Sequence, residues 1–369
     1  MNPTTRNCFS RSLRSALGIL AALLLMLLPA CGGEPEPSDT LRVGVSLYTL
    51  DDTFISSVVQ NMERTAQETE AAAGLKINLS IVDGRSNQTT QLEQVDRFIA
   101  RGYDVLCVNI VDRTAAAVVV DKAQEAGIPL IFFNRQPVDE DIRRGEQVYY
   151  VGVDAQGNGA LQGQLVLDVW QQEQAALDRN GDGVLQYAML EGEPGHQDAL
   201  LRTEYSVKTL TDAGVAVEKL ASDTANWNRS QASARVALWL QELGSKIEVI
   251  FSNNDDMALG AIDAYKAAGV APLPLIVGVD ATAPALESIA AGELYGTVLN
   301  DAEGMASSMI DLSLALWAGE DPADAVSLTD GHYIWLPYRE VTQENLSDFI
   351  TIAPSVSQQA KIHPRKIIK

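Results

Sequence analysis

The sequence contains few cysteines, three in 369 residues. Cys8 lies in an N-terminal segment that we expect to be removed, and Cys31 stands at the end of that segment, so Cys107 alone remains in the body of the chain. A disulfide framework is thereby excluded, and stability has to come from the hydrophobic core. Cys107 falls within the apolar run VLCVNIV, which predicts a buried, inert thiol.

Positive charge is also scarce. The chain has 27 Lys and Arg against 49 Asp and Glu, a formal net charge of −22. Removal of the N-terminal segment takes away three arginines and no acid, so 24 basic residues remain against 49 acidic ones and the charge becomes about −25. Because a phosphate backbone would be repelled by this charge, nucleic acid is excluded as a partner.

Long apolar runs are rare, and the clearest one lies at the N-terminus. Three arginines precede the run ALGILAALLLMLLPA, which is too short to span a bilayer comfortably and ends directly before Cys31. This pattern predicts a bacterial lipoprotein signal peptide over residues 1–30, with lipid on Cys31. An ordinary secretory signal, in which Cys31 is incidental, is the alternative. Residues 31–40, which include GGEPEPSD, predict a flexible tether.

From residue 41 onward, short strand-like runs alternate with longer helical patterns. LRVGVSLYT precedes a predicted helix over about 54–73, INLSIVDG one over 88–101, and VLCVNIV one over 114–126, after which PLIFFN follows. A second series comprises VYYVGVD, LQYAMLEG, VAVEKLASDT, IEVIFSNN, LPLIVGVD and YGTVLN. Strands that are apolar throughout and joined by helices indicate parallel sheets covered on both faces. We therefore predict an α/β protein with two doubly wound, Rossmann-like domains and a ligand cleft between them.

Polar and aromatic side chains follow the predicted strands, where open α/β sheets bind their ligands. The residues of this kind are Asp52, Phe54, Asn134, His196, Asp198, Arg202, Trp227, Asn254, Asp280 and Asn300. Carboxylate, amide and guanidinium groups offer paired, directional hydrogen bonds that suit sugar hydroxyls, and aromatic faces suit the C–H faces of a pyranose. Each residue alone also fits a turn or a helix cap. The whole set predicts a small, polar, uncharged ligand.

Residues 178–183, DRNGDG, match the beginning of an EF-hand-type calcium loop. The oxygen donors in this loop would be the side chains of Asp178, Asn180, Asp182 and Gln186 and the carbonyl of Val184. The twelfth loop position holds Met189 instead of Glu, and a strand follows instead of a helix, so the last ligand has to come from elsewhere in the fold. A solvated Asp/Asn/Gly-rich turn is the alternative interpretation.

Together, these motifs resemble the bacterial periplasmic galactose- and glucose-binding proteins, which capture sugar for ABC-type importers and have the type I periplasmic-binding-protein fold. The resemblance covers residues 41 to about 349 and includes the runs IFFNRQP, YYVGVD, GEPGHQD, DTANW, NNDDMA, VGVDA and GTVLNDA. It implies that all ten residues that follow the strands contact a monosaccharide. In particular, it implies that Phe54 and Trp227 sandwich the pyranose, that Asp52 accepts the 4-hydroxyl in either epimer, and that Asp198 and Arg202 lie toward the anomeric end.

The resemblance further implies that Glu248, in the strand KIEVI, completes a structural Ca²⁺ site with the five loop donors. It implies a three-segment hinge near Val153, Asn300 and Leu336. The N-terminal lobe would comprise residues 41–153 and 301–336, the C-terminal lobe residues 154–300 and 337–350, and the tail residues 351–369. The best-known members of this family are soluble in the periplasm, whereas Cys31 predicts a lipid anchor in the cell membrane.

The resemblance therefore implies a monomer that is not an enzyme and that binds D-glucose or D-galactose outside the cytoplasm, then delivers it to the permease of an ABC importer by hinge closure. The alternatives are a hexose sensor that feeds a chemoreceptor or a signalling kinase, and a binder of another monosaccharide. A glycosidase would need two opposed carboxylates, which Asp52, Asp198 and Asp280 could supply. A sugar-responsive repressor would carry a DNA-binding segment where this chain has its signal peptide.

Overall fold

The computed structural model describes residues 40–350. The predicted signal peptide, Cys31, the tether up to residue 39 and the tail at 351–369 lie outside the described residues. Twelve strands are assigned within the described part: β1 (Thr40–Leu47), β2 (Lys76–Asp83), β3 (Val105–Val108), β4 (Leu130–Phe133), β5 (Val148–Gly152), β6 (Val184–Glu191), β7 (Ala216–Thr224), β8 (Val249–Ser252), β9 (Leu275–Val277), β10 (Gly296–Val298), β11 (Tyr333–Trp335) and β12 (Glu340–Thr342).

The helices lie between these strands. They are α1 (Thr53–Ala73), α2 (Gln88–Ala100), α3 (Ala116–Ala126), α4 (Asp139–Ile142), α5 (Ala155–Leu177), α6 (Gln197–Asp212), α7 (Arg229–Leu243), α8 (Asp255–Ala268), α9 (Ala283–Ala290), α10 (Ala302–Ala318), α11 (Pro322–Ala325) and α12 (Ser347–Ile350). A short 3₁₀ turn, Arg113–Ala115, precedes α3, so the third predicted helix begins two residues later than the sequence pattern indicated.

Two six-stranded sheets form the framework of the fold. The first has the order β11-β5-β4-β3-β1-β2 with parallel pairing throughout, and the second has the order β12-β10-β9-β8-β6-β7. The prediction of two doubly wound α/β domains is confirmed. The second sheet departs from pure parallel pairing at its edge, where β12 runs antiparallel to β10.

Each sheet is buried on both faces, as apolar strands require. In the first lobe, one cluster packs β1 against α1 and α10, and another packs β3 and β4 against α2 and α3. In the second lobe, one cluster joins α7, α8 and α9 to the sheet, while α5 covers the opposite face. Cys107 is fully buried in the first of these clusters, and burial raises the pKa of its thiol to about 12.

The chain passes between the two sheets three times. The passages lie at residues 153–154 between β5 and α5, at 299–301 between β10 and α10, and at 336–339 between β11 and β12. As a result, the carboxyl ends of strands in both lobes approach each other. This is the region in which parallel α/β sheets place ligand-binding side chains. No helix in residues 40–350 is long and apolar enough to cross a membrane.

Candidate functional site

A small cavity lies between the lobes, at the carboxyl ends of the strands. It is lined by Tyr48, Asp52, Phe54, Asn134, Arg135, His196, Asp198, Arg202, Trp227, Asn254, Asp280 and Asn300. The structure thus brings all ten residues that follow the predicted strands to one cavity. The sequence analysis missed two lining residues, Tyr48 and Arg135.

Asp52 is the carboxylate that the first lobe presents to the cavity. It caps the N-terminus of α1, where its Oδ1 accepts a hydrogen bond from the backbone N–H of Ile55 at 2.9 Å. Its Oδ2 accepts a hydrogen bond from the hydroxyl of Tyr48, which follows β1 directly. Since both oxygens are held, the plane of the carboxylate is fixed, and Phe54 lies in the first turn of the same helix.

Asn134 and Arg135 follow β4. Asn134 has a left-handed backbone, with φ of 59°, which Asn tolerates better than most residues. Its side-chain Oδ1 accepts a hydrogen bond from Asn109 at 3.3 Å, and its carbonyl accepts one from Tyr150 at 2.8 Å. Arg135 is 7% exposed, and its guanidinium lies over the ring of Tyr48, 3.6 Å from the ring centroid.

In the second lobe, a turn would be the usual structure directly after the strand LQYAMLEG, but Asp198 and Arg202 belong to a helix and only His196 precedes it. His196 caps α6, and Asp198 and Arg202 lie in its first two turns. The i, i+4 spacing of the two charged residues puts them on one face of the helix, so that Arg202 Nη2 donates to Asp198 Oδ2 at 3.0 Å. The glycine and proline before His196 end the strand, but the helix begins at once.

His196 is neutral. Its Nδ1 accepts a hydrogen bond from the backbone N–H of Asp198 at 3.1 Å, which leaves the proton on Nε2. Burial, together with Arg135, Arg202 and Arg113, lowers the pKa of His196 well below its usual value. The imidazole therefore offers an N–H donor to the cavity and adds no charge.

Arg202 is 3% exposed and holds the charged groups of the second lobe together. Besides Asp198, its Nη1 donates to the carbonyl of Asn253 at 2.9 Å and lies 3.9 Å from Asp280 Oδ1. Burial raises the pKa of Asp198 and of Asp280, and Arg202 opposes both shifts. A buried cation between two buried carboxylates compensates in part for their loss of hydration.

Asp280 and Asn300 form a pair at the ends of β9 and β10. Asn300 Nδ2 donates to Asp280 Oδ1 at 3.2 Å. Asp280 has φ of 120°, a strained conformation for a residue with a side chain, and the next residue, Ala281, has φ of 55°. The surrounding structure has to hold this turn, because such strain persists only where neighbouring contacts compensate for it.

Asp255 supplies part of that support from behind the cavity. Its Oδ2 accepts hydrogen bonds from the backbone N–H and the hydroxyl of Thr282, at 2.8 and 3.2 Å. Its Oδ1 accepts one from the hydroxyl of Thr297 at 2.6 Å, and Thr297 in turn accepts the N–H of Ala281 at 3.3 Å. The carboxylate therefore fixes the residues that follow Asp280.

Trp227 and Asn254 contribute an aromatic face and an amide. Trp227 has a left-handed backbone, with φ of 62°, and its ring meets that of His196 edge to face, with 5.0 Å between the centroids. Asn254 caps α8, where its Oδ1 accepts the N–H of Met257 at 3.0 Å, and its Nδ2 donates to the carbonyl of Trp227 at 3.3 Å. Asn254 thus lines the cavity and also serves as the helix cap that its sequence position allows.

Three buried polar atoms of residues that line the cavity have no hydrogen-bond partner within residues 40–350. They are Arg135 Nε, Arg202 Nε and Asn300 Oδ1. Buried polar atoms are nearly always hydrogen bonded, and leaving one unpaired costs about 1–3 kcal/mol. Two unused donors and one unused acceptor that surround the same small space suit a ligand with several hydroxyl groups.

The loop that resembles a calcium loop is folded around Asp182. Its Oδ2 accepts hydrogen bonds from the side-chain amides of Asn180 at 2.9 Å and Gln186 at 3.0 Å. Rotation of each amide by half a turn would present its oxygen instead of its nitrogen. The N–H of Val184 donates to Asp182 Oδ1 at 2.8 Å and lowers the pKa of the carboxyl.

The other two acids of the expected set bind backbone N–H groups. Asp178 accepts the N–H groups of Gly181 at 2.7 Å and Gly183 at 2.9 Å, and Glu248 accepts that of Arg179 at 2.6 Å. Within residues 40–350, no three His, Cys, Asp or Glu side chains are grouped so that they could hold a metal ion. A cation here would have to use amide and carbonyl oxygens as well as carboxylates, and that all-oxygen donor set is one that Ca²⁺ accepts.

The chain resembles known binding proteins over most of its length. The family model described as "Periplasmic binding protein domain" matches residues 43–321. The D-galactose/methyl-galactoside binding periplasmic protein of Haemophilus influenzae is 39% identical over 312 residues, which are 84% of this chain and 92% of that protein. A putative rhizopine-binding protein of Rhizobium meliloti is 34% identical over 309 residues, 83% of this chain and 92% of that protein.

A solved structure with the same fold agrees with these relatives. An ABC transporter solute binding protein from Bacillus halodurans, crystallised with myo-inositol, superposes with a TM-score of 0.72 at 28% sequence identity. The match covers 86% of this chain and 99% of that structure. The two lobes and the cleft described above are therefore shared with a protein whose structure was determined with a polyhydroxylated ligand.

Proposed function

The chain belongs to the periplasmic binding protein family, and from this premise we propose that it captures D-galactose or D-glucose outside the cytoplasm and delivers it to an ABC-type importer. The family consists of binding proteins that are not enzymes, so the ligand leaves the cleft unchanged. The 39% identity with a D-galactose/methyl-galactoside binding protein supports this choice of sugar over the rhizopine of the 34% identical relative.

The unpartnered buried atoms of the cavity are the observation that carries the proposal. Arg135 Nε and Arg202 Nε are donors and Asn300 Oδ1 is an acceptor, and all three belong to residues that line one cavity. A hexose presents hydroxyl groups around a compact ring, and each hydroxyl both donates and accepts. Binding would therefore satisfy atoms that the folded protein leaves without partners.

The charges of the cavity favour an uncharged sugar. Its wall holds three acidic side chains, Asp52, Asp198 and Asp280, and two basic ones, Arg135 and Arg202. His196 is neutral and adds no positive charge, so the basic groups do not outnumber the acids. A sugar phosphate or a sugar acid would bring a second anion close to these groups, at a cost that a buried site increases. Carboxylates that accept hydroxyl protons, in contrast, form hydrogen bonds that are stronger than neutral ones.

The two aromatic residues come from different lobes. Phe54 belongs to the first turn of α1 in the first lobe, and Trp227 follows β7 in the second lobe. Rings supplied from both lobes suit a pyranose held between its two faces, and this supports a ligand that binds both lobes at once. Closure of the hinge around the sugar would then expel water from the cleft.

Calorimetric titration tests the proposal. The mature chain is titrated with D-galactose and D-glucose at fixed calcium, with D-ribose, myo-inositol and D-glucose 6-phosphate as comparison ligands. We expect one saturable site for either hexose, with a Kd near 1 μM or below, which corresponds to about −8 kcal/mol. Unchanged sugar in the recovered ligand is the control for turnover. Binding of ribose or myo-inositol with no response to either hexose would refute the proposed ligand and indicate another monosaccharide.

The alternative role is that of a hexose sensor that acts on a chemoreceptor or a signalling kinase. Both roles require the same cleft, so they differ in the membrane partner and not in the ligand. An importer reconstituted in vesicles would hydrolyse ATP faster in the presence of the sugar-loaded protein. If the sugar-loaded protein stimulated a receptor and left the importer unaffected, the sensor role would replace transport.

Two further proposals concern segments around the cleft. We propose that Ca²⁺ binds the loop through Asp178, Asn180, Asp182, the Val184 carbonyl and Gln186, together with Glu248, and stabilises the second lobe. We also propose that the mature protein is a monomer tethered to the membrane by lipid on Cys31. Mass spectrometry of the N-terminal peptide tests the tether, because a Cys31→Ser variant would lose the lipid mass and leave the membrane fraction.

A further inference from the structure

Arg135 contacts both lobes, although it belongs to the first. Its Nη1 donates to the carbonyl of Val111 in the first lobe at 3.2 Å. Its Nη2 donates to Glu193 Oε2 at 2.7 Å, and Glu193 follows β6 in the second lobe. The side chain of Arg135 is 8% exposed and that of Glu193 is 29% exposed. This ion pair therefore joins the lobes at the wall of the cavity.

The same guanidinium is connected to the carboxylate of Asp52. Its central carbon lies over the ring of Tyr48, and the hydroxyl of Tyr48 donates to Asp52. An arginine above an aromatic ring gains a cation–π attraction, and its planar guanidinium can stack on the ring. The compact ammonium group of a lysine is not planar and cannot stack in this way. Glu193, Arg135, Tyr48 and Asp52 thus form one continuous chain of contacts from the second lobe to the cavity.

The guanidinium of Arg135 has one nitrogen for which no acceptor is found within residues 40–350. This nitrogen, Nε, is buried, whereas both terminal nitrogens donate hydrogen bonds. A buried N–H without an acceptor is costly, so a hydroxyl oxygen of a ligand in the cavity would stabilise it. The position of Arg135, directly after Asn134 in the cavity wall, makes such a contact reachable.

We propose that Arg135 is a ligand-binding residue, and that its ion pair with Glu193 couples the bound ligand to closure of the two lobes. The inference rests on the proposed function, because it requires a sugar in the cavity. When the lobes separate, the ion pair between Glu193 and Arg135 breaks, and the guanidinium of Arg135 becomes hydrated. When a sugar hydroxyl accepts a hydrogen bond from the Nε–H and Tyr48 holds Asp52, the guanidinium is oriented so that Glu193 can pair with it.

Other contacts between the lobes lie near this ion pair. Arg113 donates to Gln197, and Gln197 Nε2 donates to Gln136 Oε1 at 3.1 Å. Elsewhere along the cleft, the hydroxyl of Thr53 donates to Asp256 Oδ2 at 2.6 Å. These contacts do not involve Arg135 Nε or the Tyr48 ring. They can hold the lobes together, but they do not connect the lobes to a ligand in the cavity through Arg135.

Dissociation kinetics of Glu193→Gln test the coupling. Glu193 is outside the sugar cavity, so the substitution removes the charge across the lobes and leaves the lining residues intact. We expect the Kd for the hexose that the wild type binds to rise about 10-fold, with nearly all of the change in the dissociation rate. Glu303→Gln is the matched control, because Glu303 pairs with Arg64 at 2.8 Å within the first lobe and should leave both rates unchanged.

Substitutions of Arg135 complete a double-mutant cycle. Arg135→Met should raise Kd about 100-fold or more, and adding Glu193→Gln to it should cause almost no further loss. Arg135→Lys should fall between wild type and Arg135→Met, because lysine keeps the charge but loses the stacked fork. The thermal midpoint of each sugar-free variant verifies that it is folded.

The outcomes separate this inference from the proposed function. A wild type that binds no hexose refutes the proposed function, and the inference falls with it. A wild type that binds sugar while Glu193→Gln keeps the wild-type dissociation rate refutes the inference alone. Additive effects of Arg135→Met and Glu193→Gln would refute it too, because residues that act as one pair are not additive.

Discussion

The indole of Trp227 lies so close to Gly192 that a β-carbon on the glycine would be 2.1 Å from Cη2 of the ring. Gly192 directly follows β6, and the indole also meets the ring of His196 edge to face. The ring therefore has one available position, fixed by a strand end that is distant in sequence. An aromatic surface fixed before binding loses little conformational entropy when a sugar stacks on it.

Gly192→Ala tests whether this position matters for binding. The added methyl group would displace the indole, because the ring atoms it meets cannot remain within 3 Å of a β-carbon. We expect sugar affinity to fall about 10- to 100-fold while the thermal midpoint changes little, since Gly192 has no left-handed φ that would make alanine strained.

Substitutions of Trp227 itself provide the controls. Trp227→Ala should weaken binding at least as much as Gly192→Ala without unfolding the protein, and Trp227→Phe should retain part of the affinity. Titration calorimetry of the three variants decides the matter. Wild-type affinity in either Gly192→Ala or Trp227→Ala would remove the stacking role of the indole.

Tyr48→Phe is predicted to change the preference between epimers. The substitution keeps the ring beneath Arg135 but removes the hydroxyl that donates to Asp52. Without this hydrogen bond, Asp52 is held through one oxygen only, so its carboxylate can rotate. If Asp52 accepts the 4-hydroxyl, as we propose, the Kd values for galactose and glucose should rise by unequal factors, each about 5- to 10-fold.

Competition between the two sugars measures this ratio. The control is Tyr149→Phe, because Tyr149 is also a buried tyrosine of the first lobe but lies outside the cavity. Equal weakening of both sugars would mean that Tyr48 supports Asp52 without affecting selectivity. Unchanged binding of both would contradict any role for the hydroxyl.

The sequence pattern predicted the two-sheet fold because its signals are local. Each strand is an apolar run, and the polar residues that follow the runs lie at the strand ends whatever the details of packing. The sequence did not predict site residues whose position depends on contacts between distant parts of the chain. Arg135 is an unremarkable arginine next to Asn134 in sequence, and its burial depends on Glu193, 58 residues away and in the other lobe.

Two other differences have local causes that the pattern did not separate. The run GEPG ended β6 as expected, but the following residues, including Asp198 and Arg202, form helix and not turn. Asn254 was open to two interpretations, a ligand contact or a helix cap. The structure shows that one amide can cap α8 and line the cavity together, so the two interpretations were not exclusive.

Asp255 should make stability depend on pH. Burial raises the pKa of Asp255 to about 7, although hydrogen bonds from Thr297 and Thr282 oppose this. Between about pH 4, where an unfolded aspartate titrates, and about pH 7, the folded state holds a proton that the unfolded state lacks. This contribution to the free energy of unfolding is therefore complete below pH 4 and is lost as the pH rises to 7.

Asp255→Asn removes the titrating carboxyl, so the difference in unfolding free energy between the variant and the wild type gives its contribution at each pH. Relative to the wild type, the variant should gain stability as the pH is raised from 4.5 to 8, measured by denaturant unfolding at several pH values. The substitution also removes the charge of Asp255 that raises the pKa of Asp280, and this second effect changes stability with pH in the same direction. Asp263→Asn, an exposed partner of Arg229, is the control and should follow the wild type. Parallel pH curves for Asp255→Asn and wild type would contradict the prediction.

Calcium should raise the thermal midpoint through the loop that contains Asp182. A ligand that binds only the folded state stabilises it by about 2.7 kcal/mol at a concentration of 100 times its Kd. Asp182→Asn removes one negative charge from the proposed donors but can still accept the N–H of Val184 through its side-chain oxygen. We therefore expect the midpoint in a chelator to stay near that of the wild type and the increase caused by calcium to shrink strongly.

Comparison with Glu248→Ala distinguishes a loss of calcium binding from a loss of stability in the calcium-free protein. Glu248 accepts the backbone N–H groups of Arg179 and Gln186, so its removal should lower the midpoint in the chelator as well as in calcium. Asp212→Asn, on the surface of the same lobe and paired with Lys208, should keep the full calcium response. Of these variants, only Asp182→Asn should change the midpoint in calcium and leave the midpoint in the chelator unchanged. An equal calcium response in that variant and in the wild type would therefore exclude the loop as the site. A wild type without any calcium response would exclude bound calcium.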